Sequence, residues 1–239
     1  MNESTQTEIS EHPPLKKGGG GGFCIFKVTG EKAAKFLNGQ LTNDIAAIAP
    51  GQSQYNLLLT VKGKIVSDLT VYRVDNDFYL SIPSPYAEAV VAHLKKLAPL
   101  SRVQITETHE KVIPQELKLP ENLRIEQGIP KMGVDFTQDN LPQEVGLEKR
   151  AVSFTKGCFL GQEIVARLQY RGHVNKILVR LEIDAPAAPP PGTALLEEGK
   201  EVGKITSSAG RLALGYVPYG SKTGKEWPLA GISGRARLL

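Results

Sequence analysis

Pro114, Pro120, Pro130 and Pro142 punctuate residues 109–160 and divide the chain into two unlike parts. Proline removes a backbone donor and biases the preceding residue away from helix, so this stretch reads as a long connector with few regular elements. Upstream, a strand is expected over Phe23–Thr29 and a helix over Glu31–Asn38, with Gly39 as its C-terminal cap. Gln54–Val61 and Ile65–Val74 alternate as strands around Lys62-Gly63, and Phe78–Ile82 follows a turn at Asn76-Asp77. Ser84 and Pro85 suit the cap and first residue of a helix running to Ala98, and Arg102–Thr108 is a further strand. Antiparallel strands with two helices indicate α+β rather than a doubly wound sheet. Downstream, a helix over Gly161–Tyr170 precedes short strands at Val174–Ile183, Thr193–Leu196, Glu201–Ser207 and Leu212–Val217, a pattern suited to a small β-barrel. The expected organisation is therefore a glycine-rich disordered tail over 1–22, an α+β domain with its connector over 23–171, and a C-terminal β-barrel over 172–239.

Composition narrows the setting. With 239 residues, 41% of them hydrophobic, the chain can bury a substantial core. No apolar run approaches the roughly 20 residues that span a bilayer. The first residues carry Glu3, Glu8 and Glu11 and lack the apolar centre of a signal peptide, which favours a cytoplasmic setting. A net charge of +4 and 6% aromatics give little basis for direct nucleic-acid binding. The two cysteines, Cys24 and Cys158, fit a reducing compartment and cannot alone supply the four thiolates of an iron–sulfur cluster, so no metal site is expected within the chain.

The segment Lys156-Gly157-Cys158-Phe159-Leu160-Gly161-Gln162-Glu163 carries the most chemical information. Unpaired N–H groups at a helix start carry partial positive charge, and an ammonium two residues away adds to it, so a thiol at Cys158 is expected to gain thiolate character. The alternative is a cysteine that only packs. Lys156 has two readings, as an anion or thiolate partner and as a solvated loop charge. Arg167 either pairs with Glu163 one helical turn away or faces an anion near Cys158. Gln162 either donates to a ligand oxygen or supports its own backbone. None of the four histidines has a spacing that marks it as a base for this thiol.

This octet resembles the signature of the YgfZ-type folate-binding proteins, relatives of the glycine cleavage T-protein (aminomethyltransferase). Phe36-Leu37-Asn38-Gly39-Gln40-Leu41-Thr42-Asn43-Asp44 resembles the family's N-terminal helix-to-loop motif, and Lys62-Gly63-Lys64-Ile65-Val66-Ser67-Asp68-Leu69 its hairpin. Arg124-Ile125-Glu126-Gln127-Gly128-Ile129-Pro130 and Leu141-Pro142-Gln143-Glu144 resemble the segments leading to the cysteine. The match runs from about Phe23 to Leu239, and between Arg102–Thr108 and Arg124 the chain is shorter than the longer family members.

The resemblance implies tetrahydrofolate or a derivative as cofactor, in a cavity lined by the α+β part and the connector with Cys158 at its mouth. Glu126 matches the glutamate that binds the pteridine ring, although Gln127 stands where alanine is usual. Asp68 matches one of two adjacent hairpin aspartates, and Ser67 replaces the other, which weakens the case for aminomethyl transfer. Gln162 and Arg167 are the remaining folate-binding candidates, and Cys158 with Lys156 the catalytic ones. The implied role is in assembling or repairing iron–sulfur enzymes, including those that modify tRNA, with iron–sulfur proteins or assembly factors as partners. The alternatives are a folate-dependent one-carbon transferase and a non-catalytic interaction module.

Overall fold

The computed structural model describes residues 22–109 and 119–239. Apart from Gly22, the expected tail lies outside the described residues. The first part is a five-stranded antiparallel sheet: β1 (Phe23–Thr29), β2 (Ser53–Leu59), β3 (Ile65–Val74), β4 (Asp77–Pro83) and β5 (Gln104–Glu107), in the order β2-β3-β4-β1-β5. Two helices, α1 (Ala33–Gln40) and α2 (Ser84–Leu97), cover one face. Their apolar sides supply Phe36, Leu37, Val90 and Leu94 to a core shared with Val28, Leu69, Val71 and Leu80 of the sheet.

The opposite face carries Leu57, Leu59 and Ile65, and the connector folds onto it through Met132, Phe136, Val145, Leu147 and Phe159. Each β-strand sends alternate side chains to opposite faces, so a sheet covered on both sides needs near-continuous apolar strands, as Leu57-Leu58-Leu59, all buried, shows. Short helices α3 (Glu121–Glu126) and α4 (Glu148–Ala151) interrupt the connector, and α5 (Gln162–Arg171) closes it.

The final part is a six-stranded antiparallel sheet: β6 (Lys176–Asp184), β7 (Ala194–Glu197), β8 (Lys200–Ala209), β9 (Leu212–Pro218), β10 (Glu226–Pro228) and β11 (Arg235–Leu238). Its order is β10-β11-β6-β9-β8-β7, and a bridge between Leu195 and Leu229 brings the two edges together into a nearly closed barrel. Trp227, fully buried, fills its centre with Leu181, Leu195, Ile205 and Val217.

Two local expectations are corrected. Gly39 lies inside α1, whose C-cap is Leu41, so it caps nothing. Ser84 makes no capping bond to its own helix; its hydroxyl instead accepts from the Cys24 thiol at 3.6 Å. The connector has few regular elements, as its prolines suggest: among its described residues these are α3, α4 and a short 3-10 turn at Pro142–Glu144, and Pro120 directly precedes α3, where a missing donor costs nothing.

Candidate functional site

The segment from Ser153 to Gln162 is stitched to the end of α1. A helix leaves its last carbonyls without intrahelical partners, and here most are answered by a segment more than a hundred residues later. The N–H of Ser153 donates to the Thr42 carbonyl at 3.0 Å, and the N–H of Leu160 to that of Gly39 at 3.2 Å. Between them the Lys156 ammonium donates to the carbonyls of Asn38, Leu41 and Asn43 at 2.6, 2.6 and 2.8 Å. Its Nζ also stands 5.1 Å from the centre of the Phe159 ring. Burial pulls the Lys156 ammonium down from the ordinary 10.5 to about 8, with the Asp44 carboxylate acting in the opposite sense.

The receiving loop is itself rigid. Asn38 accepts the N–H of Ile45 at 3.0 Å, and Asp44 accepts that of Ala46 at 3.1 Å. The buried Thr42 hydroxyl donates to the Ala151 carbonyl at 2.6 Å and accepts the N–H of Leu57 at 2.9 Å. Polar residues after α1 thus hold its carbonyls in place for the later segment.

On its other side the octet meets the β2–β3 hairpin. Gly161 precedes α5 with φ of +79°, and a Cβ there would come within 2.5 Å of the Thr60 carbonyl oxygen. Only glycine combines that backbone with that approach. Phe159 is buried beneath, whereas Cys158 between these anchors is exposed. Lys156 therefore directs its donors at carbonyls of the α1 end and the loop after it, not at groups flanking the sulfur. Cys158 itself precedes the Gly161 cap by most of a helical turn, outside the first turn of α5 where the helix field is strongest.

The other sequence candidates fall in different places. Asp68 is half-buried on β3 and accepts from the Tyr55 hydroxyl at 2.7 Å. The Tyr86 phenol nearby is pushed up, first by burial and then by the Asp68 carboxylate. Tyr86 Oη abuts Gly133, so these groups lie where the Lys131–Phe136 turn meets the sheet. Ser67 is fully buried and donates to the Asp68 carbonyl at 2.8 Å. Glu126 is exposed at the end of α3, where its backbone carbonyl accepts from Arg180 of β6 at 2.7 Å. Gln162 is part-buried in the first turn of α5. Glu163 and Arg167 are both exposed and form no ion pair, which corrects that expectation; in water such a pair gains too little to hold two long side chains together. A cleft of about 300 Å³ beside α1, lined by Lys32, Lys35, Phe36, Gln40 and Ser101, contains neither Cys158 nor Glu126. Among the described residues no cluster of three or more His, Cys, Asp or Glu is arranged to hold a metal ion. No helix among them is long and apolar enough to cross a membrane.

Sequence reasoning missed the junction between connector and barrel. Asp135, 2% exposed, accepts from Arg124 Nη1 at 2.5 Å, the Lys131 N–H at 2.9 Å, and the hydroxyls of Thr206 and Ser207 at 2.6 and 2.7 Å. Arg124, itself buried, also donates to Glu121 and to the Ile129 carbonyl. This network fixes α3, and with it Glu126, against β8. Arg124 belongs to the same run as Glu126, but nothing in local spacing points to Asp135 as its partner.

Comparison with known proteins agrees with this layout. The GCVT N-terminal domain family matches residues 22–121, and the CAF17 C-terminal beta-barrel domain family matches residues 176–226. A Haemophilus influenzae protein described as uncharacterized is 29% identical over 188 residues, 63% of this chain and 67% of that protein. An aminomethyltransferase of Chlorobium phaeovibrioides is 29% identical over 209 residues, 84% of this chain but 53% of the relative. The chain thus spans about half to two thirds of these curated relatives. The crystal structure of glycine cleavage system aminomethyltransferase T from Bartonella henselae superposes with a TM-score of 0.77 at 22% identity, covering 90% of this chain and 82% of that one. That likeness shows the fold. A GCVT-type N-terminal domain followed by a CAF17-type barrel places this chain in the YgfZ/CAF17 family.

Proposed function

We propose that this protein binds tetrahydrofolate or a derivative and uses Cys158 in the assembly or repair of iron–sulfur enzymes, including enzymes that modify tRNA. The observation that carries the reading is the exposed Cys158 thiol, held between two pinned backbone segments in the octet that resembles the YgfZ signature. A thiol displayed in this way is suited to a group brought by another macromolecule. The iron–sulfur cluster is cargo in this reading, since the chain has only Cys24 and Cys158 and Cys24 is engaged with Ser84.

The groups around Asp68 fit a pterin in kind. A carboxylate accepts from ring N–H and amino donors, and Tyr55 and Tyr86 supply aromatic surface beside it. Glu126 is the second ring-reading acid, and Gln162 and Arg167 are the candidates for the anionic tail. Bound folate supplies one-carbon chemistry; the chain's own groups bind and orient it. Ser67 in place of a second hairpin acid favours binding over aminomethyl transfer, because transfer needs fixed charge at the reacting nitrogen.

Calorimetric titration of tetrahydrofolate into the purified protein tests the reading. Saturable binding at sub-millimolar ligand, weakened by Asp68→Asn and Glu126→Gln, is expected. Absence of binding removes the folate half of the proposal. Turnover of an aminomethyl donor with tetrahydrofolate replaces it with the transferase reading. Normal iron–sulfur enzyme activity in cells carrying Cys158→Ala, but not in cells lacking the gene, replaces it with an interaction module.

A further inference from the structure

We propose that Lys156 is a positioning residue: its ammonium acts as a remote C-terminal cap of α1 and so fixes where the Cys158 thiol points, without acting on the sulfur. This deepens the role proposed for Cys158 and takes its functional meaning from that role, but its argument and test are geometric.

An ammonium has three N–H donors and no acceptor. All three of its hydrogens have carbonyl partners, from Asn38, Leu41 and Asn43, at distances short enough for charge-assisted bonds. A lysine that served a thiolate would keep at least one donor for it. The three carbonyls converge because the C-cap of α1 is Leu41 and the following loop turns back on itself, held by Asn38, Thr42 and Asp44. A basic side chain near a helix C-terminus usually comes from the helix itself; here it is delivered from the connector.

The consequence for Cys158 follows from its flanks. Two residues before it the chain is fixed by the Lys156 side chain, and two residues after it by the Leu160 N–H on Gly39. Gly157 has open space around it and imposes no direction of its own. Without the Lys156 anchor, the stretch between Ser153 and Leu160 is tied to the α1 end and its loop only through those two backbone N–H groups, and the thiol samples a wider range of directions.

Three measurements test this on the full chain. In wild-type protein labelled with ¹⁵N-lysine, one ammonium signal is expected to persist at pH 6 with hydrogens protected from exchange; a set of lysine signals all exchanging at the solvated rate overturns the proposal. In Lys156→Met, the Leu160 amide is expected to exchange about tenfold faster or more, as local opening becomes easier. A nitroxide attached to Cys158 in a Cys24→Ser background is expected to tumble about twofold faster in Lys156→Met than with Lys156 present, on the nanosecond scale of loop motion. The pH midpoint of Cys158 alkylation is expected to stay where it is. An upward shift of that midpoint with unchanged exchange and unchanged nitroxide motion makes Lys156 a thiol activator and overturns the proposal. If Lys156→Met does not fold, the ammonium signal in the wild type decides. None of these readouts involves folate, so failure of the anchor and failure of folate binding are seen separately.

Discussion

Arg124 and Lys156 are both drawn out of water, and they are compensated in different ways. Arg124 meets full charges, Asp135 on one side and Glu121 on the other. Lys156 meets carbonyl dipoles, with one carboxylate, Asp44, as its electrostatic partner. Guanidinium keeps its proton under all physiological conditions, and its planar fork matches two carboxylates at once. The Arg124 site is therefore a permanent lock between connector and barrel. The Lys156 site, hydrogen-bonded to carbonyl dipoles and only assisted by the Asp44 carboxylate, loses its proton at about 8. A lock suits the junction of two domains, and a titratable anchor suits the loop that carries the exposed Cys158 thiol.

The largest effect is expected at the lock. Asp135→Ala strands the Arg124 charge, deprives the Ser207 hydroxyl of its acceptor and leaves the Thr206 hydroxyl with the Leu214 carbonyl alone. Removing one member of a buried pair costs about 3–5 kcal/mol, and urea unfolding of the variant is expected to show a loss in that range. A loss below about 1 kcal/mol, the scale of an exposed pair, would mean that water reaches Arg124.

Gly161→Ala comes next. The added Cβ meets the Thr60 carbonyl oxygen in a left-handed backbone, and strain of this kind costs about 1–3 kcal/mol. Thermal unfolding measures it, and an unchanged midpoint would show that the hairpin gives way easily.

The anchor is sharpened by pH. Unfolded Lys156 titrates at the ordinary 10.5 and folded Lys156 at about 8. Between those values the unfolded chain holds a proton that the folded chain has released, so this residue's contribution to stability rises with pH across that window. The unfolding free energy of wild type relative to Lys156→Met is expected to increase from pH 8 to 10.5 and to be flat below pH 7. A decrease over the same window would place the folded value above 10.5. The neutral amine still has two N–H donors, so the loop stays attached.

The smallest effect belongs to the barrel surface. Lys225 and Glu197 pair at 2.6 Å with both side chains well exposed. Exposed pairs are worth about 0–1 kcal/mol, and Glu197→Gln is expected to change stability by no more than that in 0.15 M salt. A larger loss would make the closure between β7 and the β10–β11 end of the sheet depend on charge.

Much of this architecture was legible in the sequence, because alternation along Ile65–Val74 and the Pro85 helix start are local signals. The last strands, Glu226–Pro228 and Arg235–Leu238, were not, since runs of three and four residues are too short for a period to register and Pro228, Gly231 and Gly234 read as turns. The octet stood out, but its residues left open whether the thiol at its centre packs or is displayed, and the structure shows it exposed. The direction of Lys156 was not legible. Spacing places its charge near Cys158 along the chain, but the partners that claim it arrive through tertiary folding from residues 38–43. Asp135 was missed for the same reason, its hydroxyl donors lying on β8.

The dependence of the octet on the α1 end bears on protein engineering. Grafting Lys156–Glu163 onto an unrelated scaffold would transfer the thiol but leave behind its mould. A host would have to supply three convergent carbonyls for the ammonium and a hairpin tip close enough to admit no methyl group at Gly161. The portable unit is thus two discontinuous pieces of chain, and a transplant that carries only one of them should yield an accessible but undirected sulfur.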